Sequence, residues 1–310
     1  MRKILALVLV VVLGVLSGCA SQAPRNPVFM WEAQKDGATI HLLGSIHAGQ
    51  DSWYPLDASI TDALAAADTV ACEINVNDPE VQMQTMLMVQ QEGMYPEGES
   101  LQQHISPETW QELQSRLEGQ VPAAVLDRMR PGMAAMMVAQ VTLAQAGLDM
   151  SSGVDMHVLS AAQEHGQPIV ALETVADQVA LLFGDDAVID AKMLSESLED
   201  DAETMVAMLD TMVSTWAAGD AEGLEAVYRE DWMDDESMQR FHEELLVKRN
   251  QGMADGLANR GGRWFVVVGA LHMCGESGVP ALLAEAGWKV EQVEKAAPVP
   301  EPVPEPANEH

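Results

Sequence analysis

Apolar and polar positions along the 310-residue chain follow two regimes. Near both ends the apolar residues are β-branched or aromatic and come in short runs. Through the middle they recur every three or four positions. The short runs predict buried strands and the wider spacing predicts amphipathic helices. Strands are expected over 28–33, 39–43, 69–74, 168–172, 264–268 and 288–293. The first two are separated by Lys35-Asp36-Gly37, a hairpin signal. Helices are expected over 57–67 and 279–286 and through two long stretches, about 79–147 and 174–256. A helix–strand unit over 154–173 lies between the stretches; its turn His165-Gly166-Gln167-Pro168 ends the helix and starts the strand. The expected fold is α/β or α+β, a central mixed sheet from both chain ends carrying a large, Met-rich helical insertion.

Two strands end alike, in Gly44-Ser45-Ile46-His47 and Gly269-Ala270-Leu271-His272. Glycine there permits a sharp turn or a close backbone approach. Each histidine falls just past a strand's carboxyl end, the edge where open α/β sheets bind ligands. If the two strands are neighbours, imidazoles 225 residues apart (272 − 47) meet. Two further strand runs lead into Glu73 and Glu173. A His, Glu, Glu, His set suits a borderline divalent metal with open positions, such as Zn, Mn or Co. It equally suits acid–base work without a metal. Taken singly, each glutamate would more commonly cap a helix or pair with an arginine.

The N-terminus changes the picture of where the chain resides. Met1-Arg2-Lys3 is a positive n-region and residues 4–15 form an apolar h-region too short to span a bilayer. Leu16-Ser17-Gly18-Cys19 resembles the lipobox of bacterial lipoproteins, so residues 1–19 are expected to be a signal peptide and Cys19 the lipidated first residue. Several acyl chains on one cysteine give stable anchoring, and Ala20 in place of Asp favours a periplasm-facing position on an outer membrane. Residues 20–27 are expected to be a tether, 28–294 the folded domain, and 295–310 a disordered Pro/Glu/Val tail.

A net charge of −32 excludes nucleic acid as a partner, because such a surface repels phosphate backbones. Hydrophobic residues still make up 48% of the chain, enough for a sizeable core. Besides Cys19 there are only Cys72 and Cys274, each within two residues of a candidate site residue. In an oxidising compartment they could form a disulfide stapling two strand ends, the alternative being two buried thiols. Methionines cluster at Met83, Met86 and Met88, at Met133, Met136 and Met137, and at Met205, Met208 and Met212. Thioethers bind Cu(I), but this spacing is also what a helix needs to bury one face. Core and adaptable groove are therefore preferred over copper.

With these residues in view, the chain resembles the TraB/GumN family, whose animal relatives include the Tiki proteins. The resemblance spans residues 28–293 and is strongest at 40–47 and 268–272. Gly153-Val154-Asp155 with 168–174, Trp216-Ala217-Ala218-Gly219-Asp220 and Lys248-Arg249-Asn250-Gln251-Gly252-Met253 resemble later family segments. The family pattern falls on His47, Glu73, Arg249 and His272. The resemblance implies a metal-dependent peptidase using Mn or Co, with Zn as an alternative. His47, Glu73 and His272 are then expected to hold the metal, Glu173 to be a further ligand or general base, and Arg249 to steady an oxyanion or clamp a substrate carboxylate. Asp155 is expected to be a helix N-cap and His157 to be structural. The rival functions are a non-catalytic peptide-binding lipoprotein with a Met-lined groove and a copper-handling protein.

Overall fold

A computed structural model describes residues 28–183, 187–229 and 236–294. The expected signal peptide with Cys19, the expected tether and the expected disordered tail lie outside the described residues. Six strands form one mixed sheet: β1 (Met30–Lys35), β2 (Ala38–Ser45), β3 (Thr69–Cys72), β4 (Ile169–Ala171), β5 (Arg263–Gly269) and β6 (Lys289–Gln292), in the order β4-β3-β5-β2-β1-β6. β2, β5, β3 and β4 run parallel, and β1 is antiparallel to both β2 and β6. The β1–β2 hairpin turns through Asp36 (φ 49°) and Gly37 (φ 82°), so Lys35 pairs with Ala38 and β1 runs two residues beyond its expected end. A two-residue turn with both φ positive matches the strand twist.

The central strands carry side chains buried on both faces, which is why they read as continuous apolar runs. Ile40, Leu42, Leu43, Val70, Phe265 and Val266 are all fully buried. The first pattern expectation holds: β2 and β5 are adjacent and parallel, with Gly44 opposite Val268 and Ser45 opposite Gly269. The two Gly-x-x-His motifs therefore leave the same sheet edge side by side. Gly44 is needed for that approach. A Cβ there would lie 2.5 Å from Phe29 Cδ1 and 3.0 Å from Ala270 Cα. Gly44→Ala is expected to destabilise the fold by about 1–3 kcal/mol through overpacking, read as a lower denaturant midpoint with an unchanged m-value. A wild-type midpoint would refute the close-approach argument.

The helices fall where the spacing puts them. α1 (Ala58–Ala66) and α6 (Val154–Glu164) lie next to the sheet. The first insertion forms α2 (Pro79–Glu92), α3 (Pro107–Arg116), α4 (Ala123–Leu126) and α5 (Pro131–Gln145). The second forms α7 (Val175–Phe183), α8 (Ala187–Ser197), α9 (Ala202–Ala217), α10 (Ala221–Arg229), α11 (Glu236–His242) and α12 (Lys248–Leu257). α13 (Val279–Glu285) returns the chain to β6. The insertions build two apolar clusters of their own and are tied to the sheet core by Trp216, whose indole N–H donates to Gly44 O at 2.8 Å. Met136 and Met205 are buried, and Met88, Met133, Met137, Met208 and Met212 pack against the cores. Met83 and Met86 depart from the core expectation, each being 54% exposed on α2. Among the described residues no helix is long and apolar enough to cross a membrane.

Candidate functional site

The parallel edge carries His47 on the loop after β2, Glu73 directly after β3, Glu173 just past β4 and His272 on the 3-10 turn Ala270–Met273 after β5. His47 Nε2 lies 3.9 Å and His272 Nε2 3.6 Å from the same oxygen, Glu73 Oε1. Three of the four strand-end residues thus converge on one point.

Each imidazole is held from behind. Asp155 Oδ2 lies 3.0 Å from His47 Nδ1. Asn250 Oδ1 lies 2.5 Å from His272 Nδ1, and the other end of that amide donates to Ser277 O. The second bond fixes the amide's orientation, so Oδ1 accepts from Nδ1–H and the lone pair of His272 sits on Nε2. Asp155 differs from its expected role: Gly153 is the N-cap of α6, and Asp155 turns its carboxylate onto His47. Val154 N donates to Ile46 O at 3.0 Å, which seats the helix start on the His47 loop. A Cβ on Gly153 would come within 2.6 Å of His47 O, so glycine permits that seating. His157 stacks on Tyr54, with ring centroids 4.2 Å apart.

Behind the histidines lies a charged layer. Glu73 Oε1 accepts the Gly269 N–H at 2.7 Å, and Oε2 accepts from Arg249 Nη2 at 2.7 Å and from Gln178 at 3.0 Å. Arg249 grips Glu173 with a two-pronged pair, Nε and Nη2 each at 2.7 Å. Its Nη1 donates to Leu245 O, in the π-helical segment Glu243–Val247 that leads into α12. Such widened turns occur often at functional sites, and here Arg249 and Asn250, consecutive residues, both reach the site. Glu173 is turned to Arg249 and Gln178, not to the histidines.

Charge is distributed unequally. Burial alone would lower the His47 pKa, but the Asp155 charge and hydrogen bond, with Glu73, raise it to about 9. Burial holds His272 neutral, at about 3. Burial opposes ionisation of Glu73, yet the Arg249 guanidinium holds its carboxyl at about 2. The His272 lone pair and a Glu73 carboxylate oxygen therefore face each other, with His47 beside them as an imidazolium that would give up its Nε2 proton on binding an ion.

Of the two alternatives for Cys72 and Cys274, a bridge or two buried thiols, the structure has the second: both are buried and free. Cys72 Sγ faces Val170 O in the neighbouring strand, while Cys274 Sγ turns back to Ala270 O in its own 3-10 turn. The two thiols consequently sit among different neighbours, and burial raises both.

Among the described residues no group of three or more His, Cys, Asp or Glu is placed so that it could hold a metal ion as the side chains stand. Two observations nevertheless fit an ion at the convergence point. His47 Nε2 is buried with no hydrogen-bond partner. Gly269 leaves a gap in which a Cβ would lie 3.3 Å from His47 Nε2 and 3.4 Å from Glu73 Oε1. The donor types, two imidazoles and a carboxylate, are those of catalytic divalent sites. An apolar cavity of about 80 Å³ opens beside them, bounded by His47, Arg249 and His272 on one side and by insertion helices on the other.

No solved structure matches the chain. The uncharacterized protein YbaP of Escherichia coli (strain K12) is 29% identical over 250 residues, covering 79% of this chain and 87% of that protein. The Shigella flexneri YbaP is 29% identical over 249 residues, covering 78% and 87%. The sequence pattern of the TraB/PrgY/gumN family matches residues 29–292, taking in the whole sheet and every residue of the converging set, and the chain belongs to that family.

Proposed function

We propose that this chain is a metal-dependent hydrolase acting on peptides, with His47, Glu73 and His272 as the metal-holding set. The observation that carries the reading is the pair of back-anchored imidazoles whose Nε2 atoms address one carboxylate oxygen across the Gly269 gap. Mn or Co is the favoured ion and Zn the alternative, from the resemblance to Tiki-like peptidases. A divalent ion in such a site acidifies a water and polarises a scissile carbonyl.

The chain's own residues prepare that chemistry. Asp155 and Asn250 fix ring orientation and leave both Nε2 atoms directed at the convergence point. Arg249 keeps Glu73 ionised and oriented through Oε2, so Oε1, which accepts the Gly269 N–H, keeps its second lone pair for the convergence point. Glu173 and Gln178 hold Arg249 and Glu73 in turn, which makes Glu173 and Arg249 positioning residues in this reading; the general-base and oxyanion roles expected of them from sequence are not retained. The lipid anchor on Cys19 and the periplasm-facing outer-membrane location remain part of the proposal.

The test is metal titration and peptide hydrolysis with the purified chain. Wild type is expected to bind about one divalent ion and to cleave; Gly269→Ala, which fills the gap, is expected to lose both while keeping its far-UV spectrum. Binding of an ion by Gly269→Ala at wild-type affinity would refute the assignment. Asp155→Asn keeps shape but replaces the carboxylate behind His47 with an amide. It should weaken metal affinity by about 10–100-fold, the usual effect of removing an outer partner of a metal-bound histidine. Unchanged affinity in a competition titration would show that Asp155 does not support the site.

A further inference from the structure

We infer that the apolar cavity beside the histidines is a subsite for a small aliphatic side chain, so that the peptide bond cleaved is one flanked by a residue such as valine, leucine or methionine. The inference rests on the hydrolase reading for the words "bond cleaved" and on the cavity itself for the side chain. The sheet edge supplies His47 and His272, and α12 supplies Arg249, to the reactive face of the cavity, while Leu143, Leu209, Met212, Leu224, Leu246 and Leu271 form its walls. Five of those six come from the insertions, on α5, α9, α10 and the π-helical segment; only Leu271 belongs to a histidine motif. Besides carrying Arg249 and Asn250, the insertions present an apolar wall directly against the reacting groups.

Size and polarity narrow the occupant. An apolar cavity of about 150 Å³ takes benzene, whereas this one measures about 80 Å³. Branched or thioether aliphatic side chains suit it better than an indole or phenyl ring. A charged side chain would lose its hydration among these walls; of the charged groups beside them, Arg249 is already engaged by Glu73 and Glu173, and His47 by Asp155. Met212 is a partly buried wall residue on α9 and can adapt to different occupants.

Two measurements on the full chain test this. The first uses a fluorogenic peptide library with Gly, Ala, Val, Leu, Met, Phe, Trp, Asp and Lys at each position flanking the cleaved bond. At one flanking position Val, Leu or Met is expected to exceed Gly, Trp and Asp by about 10-fold or more in kcat/KM, the discrimination an apolar pocket gives for added methylenes. Met212→Trp, which fills the cavity, should shift that preference to Gly or Ala. The second measurement follows the Met212 methyl resonance during titration with N-acetyl-leucinamide, N-acetyl-glycinamide and N-acetyl-aspartamide. Only the leucine compound should move it. Cleavage with no aliphatic preference would overturn the subsite and leave the hydrolase reading standing. Leucinamide binding without cleavage of any peptide would support the subsite and count against the hydrolase. A methyl resonance unmoved by all three compounds would overturn the subsite whatever the protein cleaves.

Discussion

His47→Ala and His272→Ala are each expected to abolish metal binding and hydrolysis while the protein stays folded. Among the described residues three donors converge, so losing one leaves two against water, too few for a catalytic divalent site. The affinity loss should exceed the roughly 100-fold upper range seen when an outer partner is removed. Folding should survive because neither ring holds the sheet together. His47 is a loop residue whose recorded partners are Asp155 and Glu73. Its removal costs about 1–3 kcal/mol for the carboxylate left unpaired. His272 is more deeply buried, and its loss leaves Asn250 Oδ1 without its donor, a cost of about the same size. Metal stoichiometry, hydrolysis and thermal unfolding of the three proteins in parallel separate the effects. A stoichiometric ion in either variant would remove that histidine from the site, and loss of the native fold would make it structural.

Much of this arrangement could be read from the residues, because the features concerned are local. A β-branched run, a two-residue turn and a glycine at a strand end each express themselves within a few positions, and pairing β2 with β5 then brings the two motifs together. Asp155 and Asn250 were not legible in the same way. Asp155 stands where a helix begins, and local rules assign an acidic residue there to the helix end. Its actual partner is 108 residues away (155 − 47), reached because Val154 docks on Ile46. The only local signal was Gly153 beside it. Asn250 follows an arginine expected in the site, and the π-helical segment before it, invisible to a 3.6-residue period, leads into the turn that carries both inward. For Cys72 and Cys274 the residues left two outcomes open. Closeness in the sequence to site residues said nothing about the direction of either thiol, and bridging geometry is narrow.

Replacing Arg249 with methionine is expected to destabilise the fold by about 3–5 kcal/mol at neutral pH, the cost of leaving buried charge without its partner. Arg249, Glu73 and Glu173 have side chains only 9%, 6% and 8% exposed, so water cannot take over the role of the guanidinium. Two carboxylates would face each other with His47 as the remaining cation nearby. The pH dependence has a definite sign. In the wild type the Glu73 carboxyl is held at about 2, below its ordinary value of 4.5. It therefore contributes stability above pH 4.5 that is lost as pH falls toward 2. Without Arg249 the largest lowering influence is gone and burial pushes the same carboxyl up against what His47 and the Gly269 N–H still hold down, so the variant is penalised for ionising it and recovers as pH falls. The gap between the two proteins should consequently narrow between pH 7 and pH 5, measured by urea denaturation at both. Adding Glu173→Gln to Arg249→Met should restore part of the loss, since one of the two stranded charges is gone. Arg249→Lys should fall between wild type and Arg249→Met, because an ammonium keeps the charge and loses the two-pronged grip on Glu173. An Arg249→Met protein within about 1 kcal/mol of wild type at pH 7 would mean a surface-like pair, and Arg249 would then be free to meet substrate.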